Sequence, residues 1–424
     1  MTEVLADKTL LALLLIGVLC SVTVFAAGTS EAKSAAKPRE VRILLWDSTY
    51  NQKFEPQNIK ADFEAQYPDY QLVIDRIEYD SLDKQILLAH ATGKDYDVIQ
   101  VNHSSVSQFV AGGVLLPLDS YLASSAIDLS TYAPAAVDVG KIKGVTYGIP
   151  FDPDCRILAY NRRILDELGF APPKTTADML EIAKAAYAKD YYAMAGQVSK
   201  SMFCIYDLGG FMLSYDTQVY KEVNGKYVSQ LNTPEALQFV KWAVEMFKYM
   251  PKDTNISDTL ARSMFAQGKV VMLWWTPSQI NSVIPQFANR DELEFSEIPI
   301  GPTGAHGSAM GGYLWGIGSG AKNKDGAWAF MEYANTPKVQ AMLARGLPAD
   351  TRAFDYPPFN IPEYNMFRKQ LETSKYPVPL TEVFPRVAEV WNRRFSEALL
   401  GVISAEEACR LGHAEVQAVL DTIN

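Results

Sequence analysis

The stretch Val41-Arg42-Ile43-Leu44-Leu45-Trp46, with Leu72-Val73-Ile74 and Asp97-Val98-Ile99-Gln100-Val101 further along, decides the fold. Each is a short apolar run of strand length. Between the second and third lies Ser81-Leu82-Asp83-Lys84-Gln85-Ile86-Leu87-Leu88-Ala89, with Ser81 placed to cap a helix and Gly93 placed to end it. Strands alternating with helical stretches predict an α/β sheet covered by helices. No internal repeat is present.

Working outward, the second half of the chain is richer in helix-start signals. Thr233-Pro234-Glu235 supplies a cap, a proline at the first helical position and an acid in the first turn, and Leu237, Val240, Val244 and Phe247 then fall on one face. Thr336-Pro337 repeats the device. Ser404 with Glu407 makes a capping-box pattern ahead of Ala408, Leu411, Val419 and Leu420. These stripes read as core-facing helix surfaces.

The amino-terminal end reads as an export signal. Lys8 precedes an uncharged run from Thr9 to Ser30, which contains Leu10-Leu11-Ala12-Leu13-Leu14-Leu15-Ile16 and the small-residue segment Val24-Phe25-Ala26-Ala27-Gly28. A membrane-spanning helix is the rival reading, but Gly17, Ser21, Thr23 and Gly28 dilute the run. Cys20 offers a third, a lipid anchor, for which Leu19 is a poor preceding residue. The expected division is a signal peptide over residues 1–27 and a flexible leader over 28–39, with Ser30 to Pro38 small and polar. Roughly 400 residues follow Ala27, more than the ~250–300 at which one core stops growing, so two lobes are expected.

The formal net charge of −10 becomes about −9 once Glu3, Asp7 and Lys8 leave. Such a chain has no electrostatic reason to seek nucleic acid or an anionic membrane. Cys155, Cys204 and Cys409 remain beyond the signal; a Cys155–Cys204 bridge and three separate buried thiols are both compatible with the sequence.

Chemistry motifs are absent in informative ways. No Gly-x-Gly-x-x-Gly follows a strand, no phosphate-binding loop ends in Gly-Lys-Ser/Thr, and no His-Glu-x-x-His occurs. His90, His103, His306 and His413 are scattered, and Gly307-Ser308 with Gly311-Gly312 makes no nucleophile elbow. The sequence indicates no cofactor, no metal and no catalytic residue. What stands out is aromatics near strand ends: Trp46-Asp47-Ser48-Thr49-Tyr50, Trp274-Trp275-Thr276-Pro277 and Gly311-Gly312-Tyr313-Leu314-Trp315. Ligands of open α/β sheets bind beyond the carboxyl ends of strands. An aromatic face beside Asp, Asn or Arg suits a sugar, whose C–H face lies on the ring while its hydroxyls bond the polar groups. Each tryptophan is equally suited to filling a core.

Several ordered segments resemble the extracellular solute-binding protein family of ABC importers, in particular its sugar-binding branch, which includes the maltodextrin-binding proteins. They are Gly93-Lys94-Asp95-Tyr96-Asp97-Val98; Phe109 to Asp119, ending Leu115-Leu116-Pro117-Leu118-Asp119; Gly140 to Pro150 followed by Leu158 to Leu165; Phe265 to Met272; Pro299-Ile300-Gly301-Pro302 with Gly311-Gly312; and Trp391-Asn392 ahead of Ala398-Leu399-Leu400-Gly401 and Ser404 to Ala408.

The resemblance implies a two-lobed periplasmic binding protein fold (type II-like), each lobe an α/β sheet flanked by helices and joined by hinge crossings. By analogy the crossings lie near Pro150, Ser296 to Ile298, and Gly346 to Pro348. The lobes are then 40–150 with 298–346, and 151–297 with 347–424. It implies a monomeric, non-enzymatic receptor, periplasmic or extracytoplasmic, that binds a carbohydrate in the interlobe cleft and delivers it to the transmembrane subunits of an ABC permease. Candidate stacking residues are Trp46, Tyr50, Tyr313, Trp315 and Trp391, the last carried over from the maltodextrin-binding relatives. Candidate hydrogen-bonding residues are Asp47, Asn102, Asp152, Asp154, Arg156 and Arg352. Gly312 belongs with them through its double-glycine segment. Ser278 aligns with a position where the family commonly stacks a tryptophan, with Trp275 and Trp274 three and four residues earlier. Thr176 stands where the family often has another tryptophan. On turn chemistry alone, Asp152-Pro153-Asp154 reads as a solvated turn. Two alternatives remain: the same fold binding a non-sugar solute, and a secreted glycoside-cleaving enzyme with two facing carboxylates.

Overall fold

Strand β1 (Arg39–Trp46) sorts its side chains by the two-residue period of an extended chain: Val41, Ile43 and Leu45 point into one apolar cluster and Leu44 into another. A strand that buries both faces belongs in the interior of an α/β sheet. The computed structural model describes residues 37–47, 58–196, 203–253, 256–379 and 381–424, and the architecture below lies in the unit Pro38–Asn424. The expected signal peptide, Cys20, Tyr50 and the side chain of Cys204 lie outside the described residues. Cys155 carries a free, buried thiol, as does Cys409.

The main strands that follow are β2 (Tyr70–Ile77), β3 (Val98–Asn102), β4 (Ile149–Cys155), β5 (Ile157–Asn161), β6 (Met272–Trp275), β7 (Leu293–Ser296) and β8 (Met310–Ile317). They form a five-stranded sheet of order β2-β1-β3-β8-β4 and a three-stranded sheet of order β6-β5-β7. In the first sheet β1 is parallel to β2 and β3, whereas β8 is antiparallel to both of its neighbours. In the second, β6 and β7 both run antiparallel to β5.

Helices α1 (Ile59–Gln66), α2 (Leu82–Ala91), α3 (Thr176–Tyr187), α4 (Pro234–Phe247), α5 (Lys324–Ala334), α6 (Pro337–Leu343), α7 (Phe384–Leu399) and α8 (Ala405–Leu420) supply most of the cover. Phe63 of α1 and Phe330 of α5 pack on one face of the large sheet, and Leu82 and Ile86 of α2 on the other. The small sheet shares a separate core with α3, α4, α7 and α8. Among the described residues no helix is long and apolar enough to cross a membrane.

The start signals hold with local adjustments. Thr233 caps α4 by accepting from Ala236 N, and Ser404 accepts from Glu407 N at 3.1 Å. Ser81 and Thr336 occupy cap positions without a side-chain cap bond. The inner face of α4 centres on Ala236, Phe239, Val240 and Ala243, leaving Leu237 and Val244 partly buried at its border. Thr176 is buried and takes the indole N–H of Trp242 on its carbonyl, so the helix start keeps an indole partner supplied from elsewhere in the chain.

Three passages connect the sheets. The first is a single residue, Arg156, between β4 and β5; the second is residues 297–309, between β7 and β8; the third follows α6, where Leu343 and Ala349 belong to the large-sheet core while Ala344, Leu347 and Ala353 belong to the other.

Candidate functional site

The parallel strands β1 and β3 end at Trp46 and Asn102, beside the start of β8. The β8 register places Tyr313 opposite Asn102 on one side and Asp152 on the other. This is the carboxyl edge of the sheet, where α/β folds leave room for ligands. Trp46 is half-buried, with the Tyr79 ring edge-on at 5.1 Å and the Tyr313 ring at 5.7 Å. Asn102 Nδ2 donates to Tyr79 Oη at 2.9 Å, while its Oδ1 accepts from Ser104 N and Oγ, so the amide is oriented by the turn that follows β3.

Two glycines let the neighbouring backbone close up. A Cβ on Gly312, whose φ is +132°, would sit 2.5 Å from Asp152 O and from Pro153 Cα, and one on Gly311 would sit 2.8 Å from Asp154 Oδ1. Into that space comes His103: Gly312 N–H donates to its Nδ1 at 3.1 Å, and Nε2 lies 2.9 Å from Tyr206 Oη. Nδ1 also lies 3.0 Å from Gly312 O, and burial, which disfavours the charged imidazole, brings His103 down to about 4, so the ring is neutral. Tyr206 belongs to the short helix Phe203–Tyr206 and to the core of the three-stranded sheet, so this bond joins the two halves.

The strand that crosses between the sheets carries the charges. Arg156 donates to Asp154 Oδ1 at 3.0 Å and to Asp207 Oδ1 at 2.9 Å, its guanidinium carbon lies 5.4 Å from the Tyr206 ring centre, and its N–H reaches Ser308 Oγ. Asp152 Oδ1 accepts from the N–H groups of Arg345 and Gly346 at 2.8 and 2.5 Å. The two aspartates respond oppositely. Burial pushes Asp152 up to about 6 against the pull of Arg345 and the Gly346 N–H. Burial acts on Asp154 too, but Arg156 and Arg345 outweigh it and hold that carboxyl below the usual range. Asp152-Pro153-Asp154 is therefore a strand segment with Asp152 and Pro153 buried and Asp154 half-buried, and the solvated-turn reading is corrected: pairing with β8 and a neighbouring arginine offset the desolvation.

Trp46, Asn102, Asp152, Asp154, Arg156, Gly312 and Tyr313 thus come together. The other candidates sit elsewhere. Trp315 is 1% exposed and stacks on Phe151 at 4.0 Å inside the large-sheet core. Trp275 and Trp391 are both 0% exposed: Trp275 packs edge-on to Phe265, while Trp391 stacks on Phe395 and faces Gly412. Arg352 is committed to Asp350 by bonds of 2.7–3.1 Å. Ser278 is exposed next to Thr276 Oγ1, and Asp47 is exposed at the end of β1. Trp274, one residue before Trp275, lines a small pocket with Arg156, Tyr206, Asp207 and Ser308.

Sequence reading missed Tyr79, His103, Tyr206, Asp207 and Arg345. The guanidinium carbon of Arg345 lies 4.6 Å from the Trp46 ring centre and 5.6 Å from that of Tyr313. His103 had a usable signal, since it directly follows the strand-end Asn102; Arg345 had one in its place just before Gly346. Tyr206 and Asp207 carried none.

A binding protein of Brucella abortus (strain 2308) is 26% identical over 318 residues, spanning 71% of this chain and 73% of its own. The maltotriose-binding protein of Pyrococcus abyssi is 23% identical over 324 residues, spanning 72% of this chain and 65% of its own. The structure of the sugar-binding protein MalE from Xanthomonas citri superposes with a TM-score of 0.81 at 23% identity, over 90% of this chain and 98% of that one, so the expected two-lobed α/β fold is the fold found. The model of the bacterial extracellular solute-binding protein family matches residues 46–341, well over half the length. With that match and with strands and strand-end residues ordered as described, the chain belongs to the bacterial extracellular solute-binding proteins.

Proposed function

We propose that this protein captures a carbohydrate where its two sheets meet and delivers it to an ABC permease. The observation that carries this reading is the Trp46–Tyr79–Tyr313 aromatic group set directly beside Asn102, Asp152, Asp154 and Arg156. Rings offer a surface to the C–H face of a sugar and the polar groups bond its hydroxyls. Sugar ligands in the names of the Pyrococcus and Xanthomonas relatives support the same class.

In this reading the chain changes lobe at Arg156, within 297–309 and within 344–350, a division supported by strand membership. A ligand touching both lobes favours the closed arrangement by its differential affinity. Affinity near micromolar, about 8 kcal/mol, allows both capture and release. The protein acts as a monomeric receptor outside the cytoplasmic membrane, exported by the segment before Gly28. Catalysis is no part of its role: Asp154 and Asp207 both serve Arg156, so neither is left to work as an acid–base pair with the other.

The test is calorimetric and fluorescence titration of residues 28–424 with a panel of mono- and oligosaccharides and sugar alcohols. Saturable one-to-one binding with the sugar recovered unchanged is expected. Silence at millimolar sugar alongside a clear response to another solute class refutes the carbohydrate assignment, and release of a cleavage product refutes the receptor role.

A further inference from the structure

Arg345 is held by its backbone, and its guanidinium stands over the aromatic group. Its N–H donates to Asp152 Oδ1 at 2.8 Å, which anchors the third passage regardless of the side chain. Its guanidinium carbon stands 4.6 Å from the centre of the Trp46 ring and 5.6 Å from that of Tyr313. The Tyr79 edge and the tilted Tyr313 ring also lie against Trp46. A guanidinium is planar and weakly hydrated and packs flat on an aromatic face. It therefore claims the same ring surface that the C–H face of a pyranose would claim.

We propose that Arg345 is a specificity-determining residue, an internal occupant of the Trp46 face that a sugar must displace before it can stack there. The inference rests on the carbohydrate reading above. Displacement lowers affinity below what the rings alone would give, and it selects among ligands. One whose hydroxyls accept hydrogen bonds from the re-seated guanidinium recovers most of the loss. One lacking hydroxyls on that side does not. The charge balance around the site fits such movement, because Asp152 and Asp154 both lie within electrostatic reach of Arg345 and can hold the cation once it leaves the ring.

Two measurements test this on residues 28–424. In Arg345→Gln, with Arg345→Met as a second variant in case the first fails to fold, the weakest-bound sugar of the panel should bind about two- to fivefold tighter, the scale of an exposed cation–π contact, and the best-bound sugar should gain less. That gain should vanish in Trp46→Ala/Arg345→Gln relative to Trp46→Ala. Without any sugar, acrylamide quenching of Trp46, isolated by difference from Trp46→Phe, should increase when Arg345 is replaced. Sugar binding that is unchanged or weaker in both Arg345 variants, while the unmodified protein binds, overturns the proposal; so does unchanged quenching. If the unmodified protein binds no sugar at all, the carbohydrate reading itself fails, and the quenching result separately shows whether Arg345 covers the ring.

Discussion

The carboxyl edge of the five-stranded sheet and the interior of the three-stranded sheet both hold tryptophans, and they use them in opposite ways. At the edge, Trp46 is half-buried and surrounded by phenol rings, an arginine and an oriented amide. In the small-sheet core, Trp275 and Trp391 are sealed among apolar side chains, and their indole nitrogens have no hydrogen-bond partner. The cores keep the volume of these rings at the expense of an indole bond. What marks the edge as a site is the polar company of its ring.

The largest expected effect tests the backbone closeness on which that edge depends. Gly312→Val should destabilise the protein by about 4 kcal/mol or more in urea unfolding, since its Cβ meets Asp152 O and Pro153 Cα in a backbone conformation that valine rarely adopts. Gly401→Ala has a positive φ but open space around it, and should cost only about 1 kcal/mol.

Trp391→Ala and Trp46→Ala make the next pair. The first should lose ~3–5 kcal/mol of stability while the folded fraction keeps its sugar affinity within about twofold. The second should lose about 1 kcal/mol of stability and more than about tenfold in affinity. A Trp391 variant that stays stable but stops binding would collapse the distinction between core and edge.

Smaller effects come from protonation at the junction. The folded-state value of His103 is lowered from 6.5 to about 4, so its contribution is present above pH 6.5 and is lost as pH falls through 4. Full loss amounts to about 3 kcal/mol. His103→Gln, which keeps an acceptor and a donor, should flatten the stability profile between pH 6.5 and 4. Asp152 has the opposite sign: its raised value means that stability falls as pH rises from about 4 through about 6. Asp152→Asn should therefore gain about 3 kcal/mol above pH 6 while changing nothing below pH 4. Urea midpoints across that range check both, and parallel profiles for variant and unmodified protein would show that neither group titrates as described.

The comparison also explains how far the sequence could be read. Strands β1 and β3 were legible because burying both faces writes a continuous apolar run, edge strand β2 through its short Leu72-Val73-Ile74 run, and Asp152, Asp154 and Arg156 as polar residues beside a family crossing. Trp315 and Trp391 misled because a tryptophan in a core and one at an edge look the same along the chain. The bonds from His103 to Gly312 and from Asp152 to Arg345 span 209 and 193 positions. The first is a product of the β3–β8 pairing and the second of the passage after α6 packing on β4, and no local pattern announces either.

The end of β4, just ahead of the first passage, is tied to the third passage. Asp152 accepts two backbone N–H groups from residues 345 and 346, and Pro153 O accepts a third from Leu347. Mechanically, this makes a two-ply strap rather than two independent tethers. Torsions in one ply cannot relax unless the other follows, so swivelling and sliding modes are damped while bending about a line through the strap stays soft. A pair of distance reporters, one on each sheet, should then track a single angular coordinate, and a dye placed on the strap itself should remain silent.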